Sequence, residues 1–120
     1  MIGNKTGKLG EDIAALYLER KGFEIIERNY WKPYGEIDIV AKKGSMLHFV
    51  EVKAVSHENY NAAENVHAWK LKKLGGVIQT FLMKRPYRDI DWQFDICVVQ
   101  IDSVSKKAKV KMIENEILPE

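Results

Sequence analysis

The sequence predicts an α/β fold in the order α-β-β-β-α-β, a central mixed sheet flanked by helices, on three observations. Two segments repeat apolar residues at helical spacing, Leu9 to Arg20 and Val66 to Phe81. Shorter runs between and after them have strand length and β-rich composition, bounded by Gly, Pro and Lys. At 120 residues, 46% apolar and 30% charged, the chain fits one domain over residues 1–120 that can bury its own core. No repeat, low-complexity segment or linker suggests a second domain.

Helix one is carried by "KLGEDIAALYLERKG", where Leu9, Ile13, Leu16 or Tyr17, and Arg20 fall along one face and Gly22 stands where a helix stops. "FEIIERNYW" reads as a strand, and "GEIDIVA" and "MLHFVEVK" as two more joined through "KKGS" in a hairpin. "NAAENVHAWKLKKLGGVIQTFLMKR" sets Val66, Trp69, Leu74, Val77 or Ile78, and Phe81 on one helical face. Gly75 and Gly76 inside it cost about 1 kcal/mol each relative to Ala, which points to a kink or a close packing contact. "DWQFDICVVQID" is apolar enough for a central strand, and "AKVKMIEN" is an optional fifth strand at an edge.

Composition excludes several classes. The single cysteine, Cys97, lies in the apolar run "FDICVVQI", so there is no disulfide framework, and a buried thiol in a reducing compartment is expected. "MIGNKTGKLGED" has no apolar signal core, and no run approaches the roughly 18 to 20 apolar residues of a membrane helix. A cytoplasmic protein with no membrane partner is the expectation. His48, His57 and His67 lack zinc-like spacing, and no phosphate-cradling glycine loop follows a strand. The net charge of +2 does not define a partner by itself.

Chemistry concentrates in the hairpin "GEIDIVAKKGSMLHFVEVK". Strand interiors exclude unpaired charge, yet Asp38, Glu51 and Lys53 interrupt the apolar runs. Alternation puts Glu51 and Lys53 on one face and Val50 and Val52 on the other. The turn decides whether Asp38 meets Glu51. A two-residue loop closed by Lys42 and Ser45 makes them diagonal neighbours, a four-residue loop puts them directly across, and a three-residue loop without a bulge separates them. Converging carboxylates need a cation, and hard oxygen ligands suit Mg²⁺, with Mn²⁺ as a substitute. Metal-assisted phosphodiester hydrolysis is the chemistry implied, with Lys53 orienting or activating water and stabilising developing negative charge. The plainer reading is an exposed hairpin face with a cross-strand ion pair. Glu36 stands equally as a helper carboxylate or a solvated strand end.

Asp38, a spacer, and "EVK" at Glu51 to Lys53 resemble the PD-(D/E)xK motif of restriction-endonuclease-like nucleases, whose core has the same element order. "GEDIAALYLERKGFEIIERNY", "GEIDIVA", "FVEVK" and "AAENVHAWKLKKL" resemble the YraN family of small bacterial proteins, regarded as predicted nucleases akin to archaeal Holliday-junction resolvases. The resemblance implies a Mg²⁺-dependent DNA endonuclease, acting on branched or recombining DNA. It implies Asp38, Glu51 and the Val52 carbonyl as metal ligands, Lys53 as catalytic, and Glu11 of "GED" completing the site. Glu11 in a first helical turn is also explained by the helix dipole. The Pro before the motif's Asp is replaced by Ile37. The same analogy carries a homodimer with paired sites. The alternatives are a non-catalytic nucleic-acid-binding module and a nuclease acting on RNA.

Lys70 and Lys73 in "AWKLKKL" lie about one helical turn apart, placed for phosphate contact or simply solvated. Tyr30, Trp31 and Tyr34 flank Pro33 ahead of the acidic strand, where they stack on unpaired bases, wedge into a branch point or pack the loop, packing being the plainer reading. Asp95, inside a central strand, requires a partner, and a structural hydrogen bond is the simplest one.

Overall fold

The computed structural model describes residues 2–56, 68–84 and 86–115. Helix α1 (Ile2–Arg20) is followed by β1 (Glu24–Lys32), β2 (Gly35–Lys43) and β3 (Met46–Val55), then α2 (Ala68–Leu82), β4 (Asp91–Asp102) and β5 (Lys107–Ile113). The strands form one mixed sheet in the order β1-β2-β3-β4-β5. β1, β2 and β3 pair antiparallel, β4 joins β3 in parallel, and β5 returns antiparallel on β4. A parallel partner requires a crossover, which the segment carrying α2 supplies. This is the α/β architecture that the sequence predicts, with the edge strand β5 present. The expected beginning of the second helix, residues 61–67, lies outside the described residues, as does His57.

The helices cover opposite faces. Leu74, Val77, Ile78 and Phe81 of α2 pack with Leu47, Phe49 and Val55 of β3, whereas Ala14, Ala15 and Leu18 of α1 pack with Val50, Cys97 and Val99. On β3 these two sets alternate as the pleat demands. β4 is buried from Phe94 to Val99, as a central strand should be, while β5 presents Lys107, Lys109 and Lys111 to solvent at the sheet edge.

One expectation about α1 is corrected. Its buried residues are Gly10, Ala14, Ala15 and Leu18, while Leu9 and Leu16 are each 48% exposed. Small residues let this helix sit close on the sheet. A Cβ at Gly10 would stand 2.7 Å from that of Ala54, while Ile13 and Tyr17, expected on the inner face, are partly buried against the cluster of Ala14 and Leu18.

The hairpin turn has two residues, one of the expected lengths, but is closed one residue later than Lys42 and Ser45. Lys43 pairs with Met46, so Gly44 and Ser45 alone form the loop, and Gly44 takes its first central position with φ 61°. The register is that of the four-residue alternative. Ile39 and Val50 are the last paired residues, and continuing that register would set Asp38 opposite Glu51.

Asp95 has its partners. Fully buried, it accepts from Gln93 Nε2 and the Asn115 N–H at 2.8 Å each, and lies 2.7 Å from Nδ1 of His48. Burial, reinforced by the Asp95 charge, pushes the Cys97 thiol up to about 12. Among the described residues no helix is long and apolar enough to cross a membrane.

Candidate functional site

Glu11 of α1 and Glu36 and Asp38 of β2 each place one carboxylate oxygen within 4.8 Å of the others. Two local features bring them together. The close seat of Gly10 on Ala54 fixes the middle of α1 against β3, and so delivers Glu11 to the sheet; because α1 begins at Ile2, Glu11 lies in the helix interior and not in the first turn that the helix dipole would favour. Across the β1–β2 pair, Arg28 faces Ile39 and Tyr30 faces Ile37, with Asn29 and Asp38 between them and Asn29 at φ 55°. Asn is among the few residue types that tolerate this left-handed conformation. Tyr30 turns into the core beside α2, while Arg28 and Asn29, neighbours in sequence, both reach Glu11.

The contacts show how the negative charge is managed. Asn29 Nδ2 donates to Glu11 Oε2 at 3.0 Å and to Glu36 Oε1 at 2.9 Å, joining the two carboxylates through one amide. Arg28 donates to Glu11 Oε1 through Nε at 3.3 Å and Nη2 at 3.2 Å. The same guanidinium also holds Asp12, and that hydrogen bond keeps the Asp12 carboxyl below its usual range. Arg28 therefore divides one positive charge between two carboxylates, and the three clustered groups keep a net negative field.

On its other side Asp38 reaches β3, where Oδ2 accepts the Val52 N–H at 2.8 Å. A side chain thus takes a β3 backbone donor just past the last β2–β3 pair. Glu51 is only 3% exposed, and Lys53, two residues on along the same strand face, is partly exposed. The Glu51 oxygens are not part of the three-carboxylate group. Of the residues singled out from sequence, the fold gathers Glu11 and Asp38, with Glu36 added; at Val52 it is the N–H that meets Asp38, whereas the carbonyl was the expected ligand. Glu51 and Lys53 stand on the neighbouring strand. Arg28 and Asn29 were not anticipated, although an Asn inside a strand pattern is itself unusual.

Beside the carboxylates opens a cleft of about 460 Å³ lined by Trp31, Lys32, Tyr34, Glu36, Asp38 and Lys73 among others. Trp31 is 64% exposed and Tyr34 46%. The Tyr34 hydroxyl hydrogen-bonds Thr80 Oγ1 at 2.6 Å, Thr80 in turn donates to the Gly76 carbonyl at 3.1 Å, and the Tyr34 ring lies over Gly76. A Cβ at Gly76 would meet the Tyr34 ring at an ordinary van der Waals distance of 3.8 Å, and one at Gly75 would meet nothing within 4 Å, so the close packing contact expected at the paired glycines of α2 is not what requires them. Lys70 lies in the first turn of α2, its side chain outside the described residues.

A five-stranded mixed sheet with an antiparallel hairpin, a parallel crossover strand and a helix on each face defines an α/β protein compatible with a restriction-endonuclease-like core. Residues 10–99 match the uncharacterised protein family UPF0102, and the chain belongs to that family. It is 40% identical over 109 residues to a UPF0102 protein of Campylobacter fetus subsp. fetus, covering 91% of this chain and 90% of that one. It is 39% identical over 117 residues to a UPF0102 protein of Campylobacter hominis, covering 95% and 97%. A UPF0102 protein of Campylobacter lari is 40% identical over 109 residues, covering 91% and 90%.

Proposed function

We propose that this protein is a metal-dependent nuclease that hydrolyses phosphodiester bonds, with DNA as the substrate and Mg²⁺ or Mn²⁺ as the ion. One observation carries the reading: three carboxylate oxygens within 4.8 Å of one another, those of Glu36 and Asp38 on residues that line a cleft shared with Lys32 and Lys73. The donor set fits the ion, because hard divalent cations take oxygen ligands and the spread of these oxygens is one that a single cation spans. Glu11, Glu36 and Asp38 would hold it, and Glu51 and the Val52 carbonyl, from the adjoining strand, are the further ligands that the EVK motif implies. When bound, the ion supplies charge neutralisation at the phosphate and a lowered pKa for a water ligand.

The chain's own residues do the rest. Arg28 and Asn29 orient Glu11, and Asn29 orients Glu36, through the hydrogen bonds they donate. Asp38, anchored on the Val52 N–H, is held at a fixed distance from β3 and its Lys53. Lys53 orients the attacking water and stabilises charge on the phosphate as it develops, and Lys32 and Lys73 draw the backbone into the cleft. Cutting a symmetric junction on two strands calls for a homodimer with paired sites. A reducing, cytoplasmic setting suits the single buried thiol.

The test is incubation of the pure protein with labelled linear, single-stranded, flapped and four-way-junction DNA, and with RNA, with and without Mg²⁺ or Mn²⁺. Metal-dependent cleavage that disappears in Glu51→Ala and Lys53→Ala is the expected result. Cleavage unchanged in both variants would remove the assigned residues, and binding without cleavage would make the protein a nucleic-acid-binding module.

A further inference from the structure

Trp31 and Tyr34 line the same cleft as Glu36 and Asp38, and neither is placed there by the needs of the core. Trp31 is 64% exposed at the end of β1. Tyr34 exposes 46% of its surface while its hydroxyl is tethered to Thr80 of α2 at 2.6 Å, which holds the ring as a rigid face instead of a swinging one. Two exposed aromatic rings beside Lys32 and Lys73 combine π-surface with positive charge, the pair of features by which single-stranded nucleic acid is held.

We infer that Trp31 and Tyr34 form a stacking platform for an unpaired nucleobase next to the phosphate to be cut. The inference rests on the nuclease reading and adds the substrate class: DNA with unpaired bases at the cleavage point, as in single strands, flaps and opened junction arms. In continuous duplex each base is covered by its neighbours above and below, so no face is free to lie on an aromatic side chain. An unpaired base has both faces open. The cleft, at about 460 Å³, is within the roughly 300 to 1,000 Å³ range of sites that take small organic groups. Lys32 and Lys73 neutralise the phosphates on either side, which gives the charge complementarity that a purely apolar patch would lack.

Binding is measured by fluorescence anisotropy in EDTA, so that the readout is independent of cleavage. The probes are a labelled single-stranded oligonucleotide, the same strand with one abasic position, and its blunt duplex. The wild type should bind the intact single strand more tightly than the duplex. Trp31→Ala should weaken single-strand binding roughly 5- to 150-fold, the loss produced by removing a stacking aromatic, and leave duplex binding unchanged. Trp31→Phe should restore most of it. At the right position the abasic site should weaken wild-type binding but add nothing to the loss in Trp31→Ala. Equal single-strand affinity in the wild type and Trp31→Ala, or tighter binding of the blunt duplex, would overturn the platform. Failure of the nuclease reading has a different signature, since it removes cleavage and leaves these binding differences in place.

Discussion

Replacing Glu36 by Gln separates charge from shape at the carboxylate cluster, because the Gln Oε1 can still accept from Asn29 Nδ2 as Glu36 does at 2.9 Å. Two unit charges 4.8 Å apart repel by about 0.9 kcal/mol at the dielectric constant of water and about 3.5 kcal/mol at an effective value of 20. Glu36 is partly exposed and Arg28 lies close by, so the lower figure applies, and Glu36→Gln should stabilise the metal-free protein by about 1 kcal/mol. For a chain of this size that is a rise of about 4 °C in melting temperature. A divalent ion reverses the comparison. At one hundred times its dissociation constant it stabilises the wild type by about 2.7 kcal/mol, and a variant that binds a hundredfold more weakly gains only about 0.4 kcal/mol. Thermal unfolding followed by circular dichroism, in EDTA and again in Mg²⁺, should show Glu36→Gln melting above the wild type in the first buffer and below it in the second. An equal Mg²⁺ response in both proteins, or a lower melting temperature for the variant in EDTA, would refute the cluster as a cation site.

Asn29→Ala and Asn29→Gly both remove the amide that joins Glu11 to Glu36, but only Ala strains the backbone at φ 55°. Urea unfolding should find the Gly variant more stable than the Ala variant by about 1 kcal/mol, and equal values would contradict the left-handed role. Gly10→Ala should destabilise by about 1 to 3 kcal/mol despite the gain in helix propensity, because its Cβ would lie 2.7 Å from that of Ala54. It should also reduce the Mg²⁺ response, since Glu11 follows the helix, and a variant as stable as the wild type would show that α1 shifts without cost. Burial raises the Cys97 thiol from 9.0 to about 12, so between those values the unfolded chain has released a proton that the folded chain keeps. The stability that this group contributes is full below pH 9.0 and falls by about 1.4 kcal/mol per pH unit above it. Cys97→Ala should remove that component of the alkaline decline, and parallel curves for the two proteins from pH 8 to about 10 would disprove it.

Much of the fold was legible because burial writes itself into periodicity. The run from Asp91 to Asp102 is apolar over its middle, and β4 has those limits. The α2 face through Leu74, Val77, Ile78 and Phe81 was visible for the same reason. The seat of α1 was hidden, because Gly10 and Ala14 are signals of close approach and not of hydrophobicity. At the candidate site, carboxylates inside strand patterns drew attention to Asp38 and, less firmly, Glu36, while Glu11 came through the family resemblance. Arg28 and Asn29 were illegible, since their contribution depends on one left-handed backbone angle that turns consecutive side chains to the same carboxylate.

The lengths of chain that separate these contacts differ sharply. The hydrogen bonds from Arg28 and Asn29 to Glu11, from Asn29 to Glu36 and from Val52 to Asp38 join residues no more than 18 apart. The parallel joining of β4 to β3 is the distant event, spanned by His48 and Asp95, 47 residues apart. Closing the longer loop costs more entropy before any contact repays it, so the helix and three-stranded meander are expected to form first, which pulse-labelled hydrogen exchange checks by earlier protection there than in β4. The acidic cluster therefore takes shape within the first half of the chain, and burial of Glu51 in the middle of the sheet waits until β4 has docked.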